Sequence, residues 1–211
     1  MSKNKEKNSV KEKKNIATKQ GMFFELLKTI IIAILIVVPL KMFILQPFFV
    51  SGSSMEPNFH DKDYLLVWEL GYKKTVLAAG DTKFLTVKPF GEIKRGEVIV
   101  FRNPVNPSQF FIKRVIGLPG EKVVINQGRV IIYNQEHPHG LVLDEKEYLP
   151  QGVQTEHSRV FETKAGQYVV LGDNRGNSSD SRYWGVLDQD LIIGKVILRA
   201  WPFRDFKIFT H

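Results

Sequence analysis

Two residue types placed 59 apart could carry out covalent chemistry in this chain. Ser54 lies in Val50-Ser51-Gly52-Ser53-Ser54-Met55-Glu56-Pro57, and Lys113 lies in Phe110-Phe111-Ile112-Lys113-Arg114-Val115-Ile116. A serine hydroxyl is a poor nucleophile at neutral pH until a base removes its proton. A lysine among apolar neighbours loses the hydration of its ammonium, so its pKa falls and the neutral amine can accept that proton. Gly52 permits a sharp bend, Pro57 stiffens the exit, and backbone N–H groups of such a bend can face a developing oxyanion. A third block, Gly172-Asp173-Asn174-Arg175 running on to Ser178, Ser179, Asp180, Ser181 and Arg182, is dense in turn formers and hydrogen-bonding groups. There Ser178 reads as a partner for the lysine amine, and Asp180 with Arg182 as a buttressing ion pair. Taken singly, the blocks are also a juxtamembrane loop, a pair of sheet-edge cations and a surface loop. Together they point to a serine–lysine hydrolase working at a membrane surface.

Other chemistries fit less well. The chain has no cysteine, which removes thiol nucleophiles, thiolate metal sites and disulfides. Asp173, Asn174, Asn177 and Asp180 could be read as calcium ligands, but their spacing does not follow the EF-hand pattern. His60 is six residues past Ser54 and could in principle act as a base. It lies, with His137, His139, His157 and His211, in polar stretches or at the terminus, and none has the paired spacing of a zinc site. Neither set of residues has the spacing of a metal site.

The elements that must position these residues are strands. Tyr64–Trp68, Glu97–Arg102, Gln109–Ile116, Glu121–Ile125, Arg129–Tyr133, Gln167–Gly172 and Ile192–Trp201 are short runs rich in β-branched and aromatic residues, punctuated by Gly, Pro and Asn. Asn126-Gln127-Gly128 between two of them predicts a hairpin turn. Period-two alternation puts Phe111, Lys113 and Val115 on one face and Ile112, Arg114 and Ile116 on the other. Lys73–Arg95 and His137–Lys164 are more polar and less periodic, and the second reads as a small cap or long excursion over 136–165. The expected architecture is a mainly β, antiparallel catalytic domain with a small inserted cap, preceded by one N-terminal transmembrane helix.

That helix rests on the apolar run before Pro47. Thr29–Leu40 is twelve residues without a charge, too short to span alone. Counting from Phe23 to Leu45, with Lys28 and Lys41 snorkelling near the two faces, gives a tilted span. No small-x-small site follows Leu40, so the segment reads as an uncleaved anchor rather than a signal peptide. The expected division is a basic tail over 1–21, an anchor over 22–46 and an extracytoplasmic domain over 47–211.

Charge is distributed accordingly. With 43% apolar and 25% charged residues, 211 residues are enough for one sizeable domain or a core with a small appendage. The net charge of +8 is mostly tail: residues 1–21 hold seven lysines against two glutamates, while the rest carry 23 basic and 20 acidic side chains. The body is thus not a nucleic-acid binder by charge. The lysine bias places the N-terminus in the cytoplasm and the body across the membrane, with lipid as a partner. Phe48 and Phe49, and Phe203, Phe206 and Phe209, are candidates for lipid contact.

In combination these motifs resemble the bacterial type I signal peptidases, membrane-bound serine proteases with a Ser/Lys dyad. The resemblance rests on the anchor, Val50–Pro57, Arg95–Phe101, Ile112–Glu121 and Gly172–Gly185, in family order over most of residues 22–201. It implies Ser54 as nucleophile, Lys113 as general base, Ser178 as the lysine's hydrogen-bonding serine, and Asp180 with Arg182 as a structural pair. It implies an oxyanion hole formed partly by the Ser54 N–H. Where some members carry a serine, this chain has Gly52, so a backbone N–H is expected there instead. Asn58 replaces the usual threonine. The resemblance further implies no metal and no cofactor, and a pocket wall of Val50, Met55, Phe59, Phe111 and Ile112, narrow enough to admit only a small side chain. Secretory preproteins would bind as an extended strand and be cut after a small-x-small motif. A soluble self-cleaving repressor would need a DNA-binding domain in place of the tail and apolar run. A non-catalytic export-partner domain would have no use for Ser54, Lys113, Ser178 and Asp180 together.

Overall fold

The structure, a computed structural model, describes residues 21–37, 44–79 and 82–209. It divides into two units, residues 1–44 and 45–211. In the first, residues 21–37 form a helix, α1, whose side chains are exposed. No helix among the described residues is long and apolar enough to cross a membrane. Residues 38–43, which the sequence reading places in the anchor, lie outside the described residues.

The second unit is built from strands. In chain order they are β1 (Leu45–Phe49), β2 (Tyr64–Trp68), β3 (Thr75–Ala79), β4 (Thr82–Val87), β5 (Val98–Arg102), β6 (Phe110–Gly117) and β7 (Lys122–Asn126). They continue with β8 (Arg129–Tyr133), β9 (Leu141–Val142), β10 (Arg159–Glu162), β11 (Gln167–Leu171), β12 (Leu187–Asp188), β13 (Ile192–Trp201) and β14 (Lys207–Ile208). A one-turn helix, α2 (Ser181–Trp184), precedes β12. The main sheet runs β1-β2-β13-β5-β6-β11-β12, with β14 also on β13. A second sheet runs β10-β7-β8-β9, and β3 pairs with β4 alone. Every pairing is antiparallel.

Alternation along the strands sorts the core. On β5, Val98 and Val100 enter a cluster with Val50, Met55, Phe59, Leu65 and Val67, while Ile99 and Phe101 enter another with Val115, Val170 and Ile192. On β11, Tyr168 and Val170 join that second cluster, while Val169 and Leu171 turn to a third with Val123, Ile125, Val130 and Ile132. The third cluster joins the two sheets. In the β7–β8 connection Gln127 and Gly128 both have positive φ, 48° and 76°, which suits a tight two-residue hairpin loop between right-twisted strands.

Leu45 and Gln46, assigned to the anchor by sequence, open β1 and pair with Trp68 and Val67 of β2. The polar stretch 73–95 holds β3 and β4. The stretch 137–164 supplies the two edge strands of the second sheet: β9 pairs with β8, and β10 with β7.

Candidate active site

Ser54 sits in the connection between β1 and β2. That connection is closed by Val50 N–H on Asp63 O and Lys62 N–H on Val50 O, each 2.9 Å. Inside it Glu56 N–H reaches Ser53 O, and Asn58 and Phe59 N–H both reach Met55 O. Gly52 bends at φ 91°, a conformation that costs glycine little. Lys113 lies midway along β6, between β5 and β11, and is only 3% exposed. Its amine is 2.7 Å from Ser54 Oγ and 2.8 Å from Ile112 O, and lies over the Phe111 ring at 5.2 Å. Burial pushes the Lys113 pKa down to about 8, against an opposing pull from the carboxylates of Asp180 and Asp173.

The third block is bonded to the back of the Ser54 turn. Asp180 and Arg182, both buried, meet in a two-pronged pair at 2.8 Å per contact. Asp180 also accepts the Gly172 N–H at 3.0 Å and caps α2 through the Arg182 N–H. Burial pushes the Asp180 carboxyl up, but the Arg182 guanidinium and the Gly172 N–H outweigh it and hold its pKa below the ordinary value. Asn174 N–H bonds Ser54 O and its side chain bonds Ser53 O, both at 3.1 Å. Gly172 is indispensable to this approach: a Cβ there would stand 2.1 Å from Ser178 Oγ and 2.5 Å from Ser54 O.

Several sequence-predicted residues stand elsewhere. The Ser178 hydroxyl does not bond the Lys113 amine, which reaches Ser54 Oγ and Ile112 O instead; it is buried against the bare Cα of Gly172 and lies on the Asp180 side, where it helps hold that carboxyl's pKa down. The Gly52 N–H donates to Asp61 Oδ1 at 2.9 Å and is not free to meet an oxyanion. Among the described residues no group accepts the Ser54 N–H. A cavity of about 480 Å³ opens at Ser54 and Lys113, walled by Phe48, Val50, Leu65, Val100, Phe111 and Ile112. Met55 and Phe59 are not among its lining residues. Both are buried in the first core cluster, Phe59 stacking on Phe209 with centroids 5.2 Å apart. His60 is exposed. Among the described residues no cluster of His, Asp or Glu is arranged to hold a metal, and Asp173 and Asp180 are both engaged by arginines.

Nothing in the sequence marks Leu65, Val100 and Phe48 as wall residues. The alternation of β2 and β5 assigns Leu65 and Val100 to one face, but not to a cavity. Arg114, next to Lys113, grips Asp173 with contacts of 2.8 and 2.6 Å. The signal for that pair was present in principle, because a second cation inside a strand flanked by apolar residues must find an acid.

A buried amine against a serine hydroxyl, at the mouth of an apolar cleft on a mainly β frame, is an arrangement that can activate a serine for nucleophilic attack. A family model described as signal peptidase, peptidase S26, matches residues 23–201. The chain belongs to this family, and is a peptidase of the signal peptidase class. It is 33% identical over 202 residues to Signal peptidase IB of Staphylococcus aureus, covering 87% of this chain and 93% of the relative. It is 32% identical over 196 residues to the probable signal peptidase I-2 of Synechocystis, covering 90% of this chain and 78% of that protein. A crystal structure of a signal peptidase I from Enterococcus faecalis aligns at 30% identity with a TM-score of 0.41, covering 50% of this chain and 97% of that one.

Proposed function

We propose that the chain is a membrane-anchored endopeptidase that removes signal peptides from secretory preproteins, with Ser54 as nucleophile and Lys113 as general base. The observation that carries this reading is the 2.7 Å contact between Ser54 Oγ and an amine whose pKa burial pushes down to about 8. Near neutral pH a useful fraction of Lys113 is then uncharged and ready to take the serine proton as Oγ attacks the scissile carbonyl. The Ser54 N–H, unclaimed within the described residues, is available to the oxygen on which charge develops. The protonated amine next gives its proton to the leaving nitrogen. Water, deprotonated by the same lysine, then releases the acyl group from Ser54.

Substrate choice follows from the walls. Val50, Leu65, Val100 and Ile112 offer apolar contact and no buried polar partner to a charged side chain, which suits small apolar residues before the cut. The preprotein would lie extended beside β1, the edge strand of the main sheet, whose outer side has no partner strand among the described residues. The lysine-rich tail and the apolar run up to Ile44 support an N-terminus in the cytoplasm, a single span and a β domain on the far side, in contact with lipid. Exposed Phe49, Trp201, Phe203 and Phe206 favour a surface that meets the bilayer.

The test is cleavage of a purified preprotein by the full chain in detergent, with the cut located by mass spectrometry. A cut after a small-x-small motif is expected, with loss of at least about a thousand-fold in rate for Ser54→Ala. A folded Ser54→Ala protein that still cleaves refutes the reading.

A further inference from the structure

The stretch between β8 and β11 does more than supply edge strands: one short piece of it is fastened to the loops that hold Ser54. Glu145 reaches Arg175 with both oxygens, Oε1 at 2.6 Å and Oε2 at 3.1 Å, and the Arg175 side chain is fully buried. Arg175 in turn donates to Gly172 O at 3.0 Å, and its own carbonyl accepts from Arg182 at 2.8 Å. The Tyr148 hydroxyl donates to Glu145 Oε1 at 2.9 Å, and its ring lies 4.2 Å from the Arg114 guanidinium carbon. Arg114 is the residue that grips Asp173.

A second tie runs directly to the nucleophile's own turn. Asn58 Nδ2 donates to Tyr148 O at 2.6 Å and to Asp173 Oδ2 at 2.9 Å. Asn58 is held on Met55 O by its N–H, one residue past Ser54. The Asn174 N–H, one residue past Asp173, closes the circuit on Ser54 O. Two loops meet at Ser54, and both are anchored on the same four-residue piece, 145–148.

We infer that Glu145 and Tyr148 are positioning residues for Ser54, holding its turn and the 172–175 loop in the register that sets Oγ against the Lys113 amine. The inference rests on the reading of Ser54 and Lys113 given above. Neither residue touches the cleft: the Glu145 carboxylate acts through Arg175, the Tyr148 ring and hydroxyl act through Arg114 and Glu145, and the main-chain carbonyl of Tyr148 holds Asn58. A displacement of about 1 Å at a reacting atom is enough to cost a hundred-fold in rate, so slackening either tie is felt in turnover rather than in binding. Lys146 lies in the same piece with a side chain 90% exposed and serves as the control.

The experiment is steady-state cleavage of a small-x-small preprotein by the full chain in detergent, comparing Glu145→Gln, Tyr148→Leu and Lys146→Ala. Each is assayed at a temperature where its melting curve shows it folded. Hydrogen exchange of the Asn58 and Phe59 amides is followed in parallel. Loss of the Glu145 charge, or of the Tyr148 ring and hydroxyl, loosens the piece on which both ties hang and predicts a fall in kcat of about ten-fold or more in Glu145→Gln and Tyr148→Leu, with KM within about three-fold and faster exchange of both amides. Lys146→Ala keeps the parent values. Unchanged exchange in both variants overturns the inference whether or not the protein cleaves anything. So does an unchanged kcat, a loss carried by KM, or an equal loss in Lys146→Ala. An inactive parent protein with faster exchange in the variants would instead sink the peptidase reading and leave the ties standing.

Discussion

Removing the amine of Lys113 should abolish cleavage and, in a defined pH window, alter stability in a direction opposite to that of most buried ionic groups. The side chain is 3% exposed, and burial pushes its pKa from 10.5 to about 8. Below about pH 8 both folded and unfolded chains hold the proton, and the fold bears the whole cost of a poorly hydrated ammonium. That interval of pKa corresponds to roughly 3 kcal/mol. Between about pH 8 and 10.5 the unfolded chain holds more protons than the folded one, so the contribution of this group to stability rises with pH. Lys113→Met has no proton to lose. The parent should therefore gain roughly 2–3 kcal/mol on Lys113→Met between pH 7 and pH 10. Urea unfolding of both proteins at the two pH values, in the same detergent, isolates the term, because every other titrating group is common to both. A difference between the proteins that stays constant within about 0.5 kcal/mol would mean that Lys113 ionises alike in both states. The base assignment would then lose its physical footing.

Other consequences are open to simpler assays. Phe59→Ala should cost roughly 3–5 kcal/mol of stability, read from a denaturant midpoint, because it empties a fully buried ring site, yet leave the preferred residue before the cut unchanged. Ile112→Ala, at the cavity wall, should shift preference towards larger residues in a competition between preproteins. Gly172→Ala should lower kcat by about ten-fold or more, and adding Ser178→Ala should restore only part of it, since the new methyl still meets Ser54 O. Protease added to intact inverted membrane vesicles should leave residues 47–211 protected, and digestion of the β domain from the cytoplasmic face would refute the orientation.

The chemistry was more legible in the sequence than the architecture around it. Neither Ser54 nor Lys113 is distinctive alone, since a loop serine and a sheet-edge lysine are ordinary; the dyad is legible only from the three blocks in combination. Strands such as β2, β8 and β13 can be read from short runs of β-branched and aromatic residues bounded by turn formers. β1 could not, because Leu45–Phe49 continues an apolar run and pairing with β2 is decided by a partner 15 or more residues away. β3 and β4 were hidden in a polar stretch, and β9 and β10 in the excursion. Side-chain direction inside the irregular turn after β1 follows no period, so Met55 and Phe59 were assigned to the pocket although both point into the core. The Gly52 N–H is lost to Asp61 for the same reason. Partner choice among buried ions was equally opaque: Arg114 with Asp173 and Arg175 with Glu145 join residues 59 and 30 apart, and spacing does not select among the available acids.

The most direct test of the Ser54–Lys113 account is the pH dependence of preprotein cleavage by the parent enzyme at low substrate, from pH 6 to 10. The account predicts a rate that rises tenfold per pH step and levels off above about 8, as neutral Lys113 accumulates. An inflection near 6.5, where a free histidine titrates, would contradict it, as would a rise that continues towards 10.4.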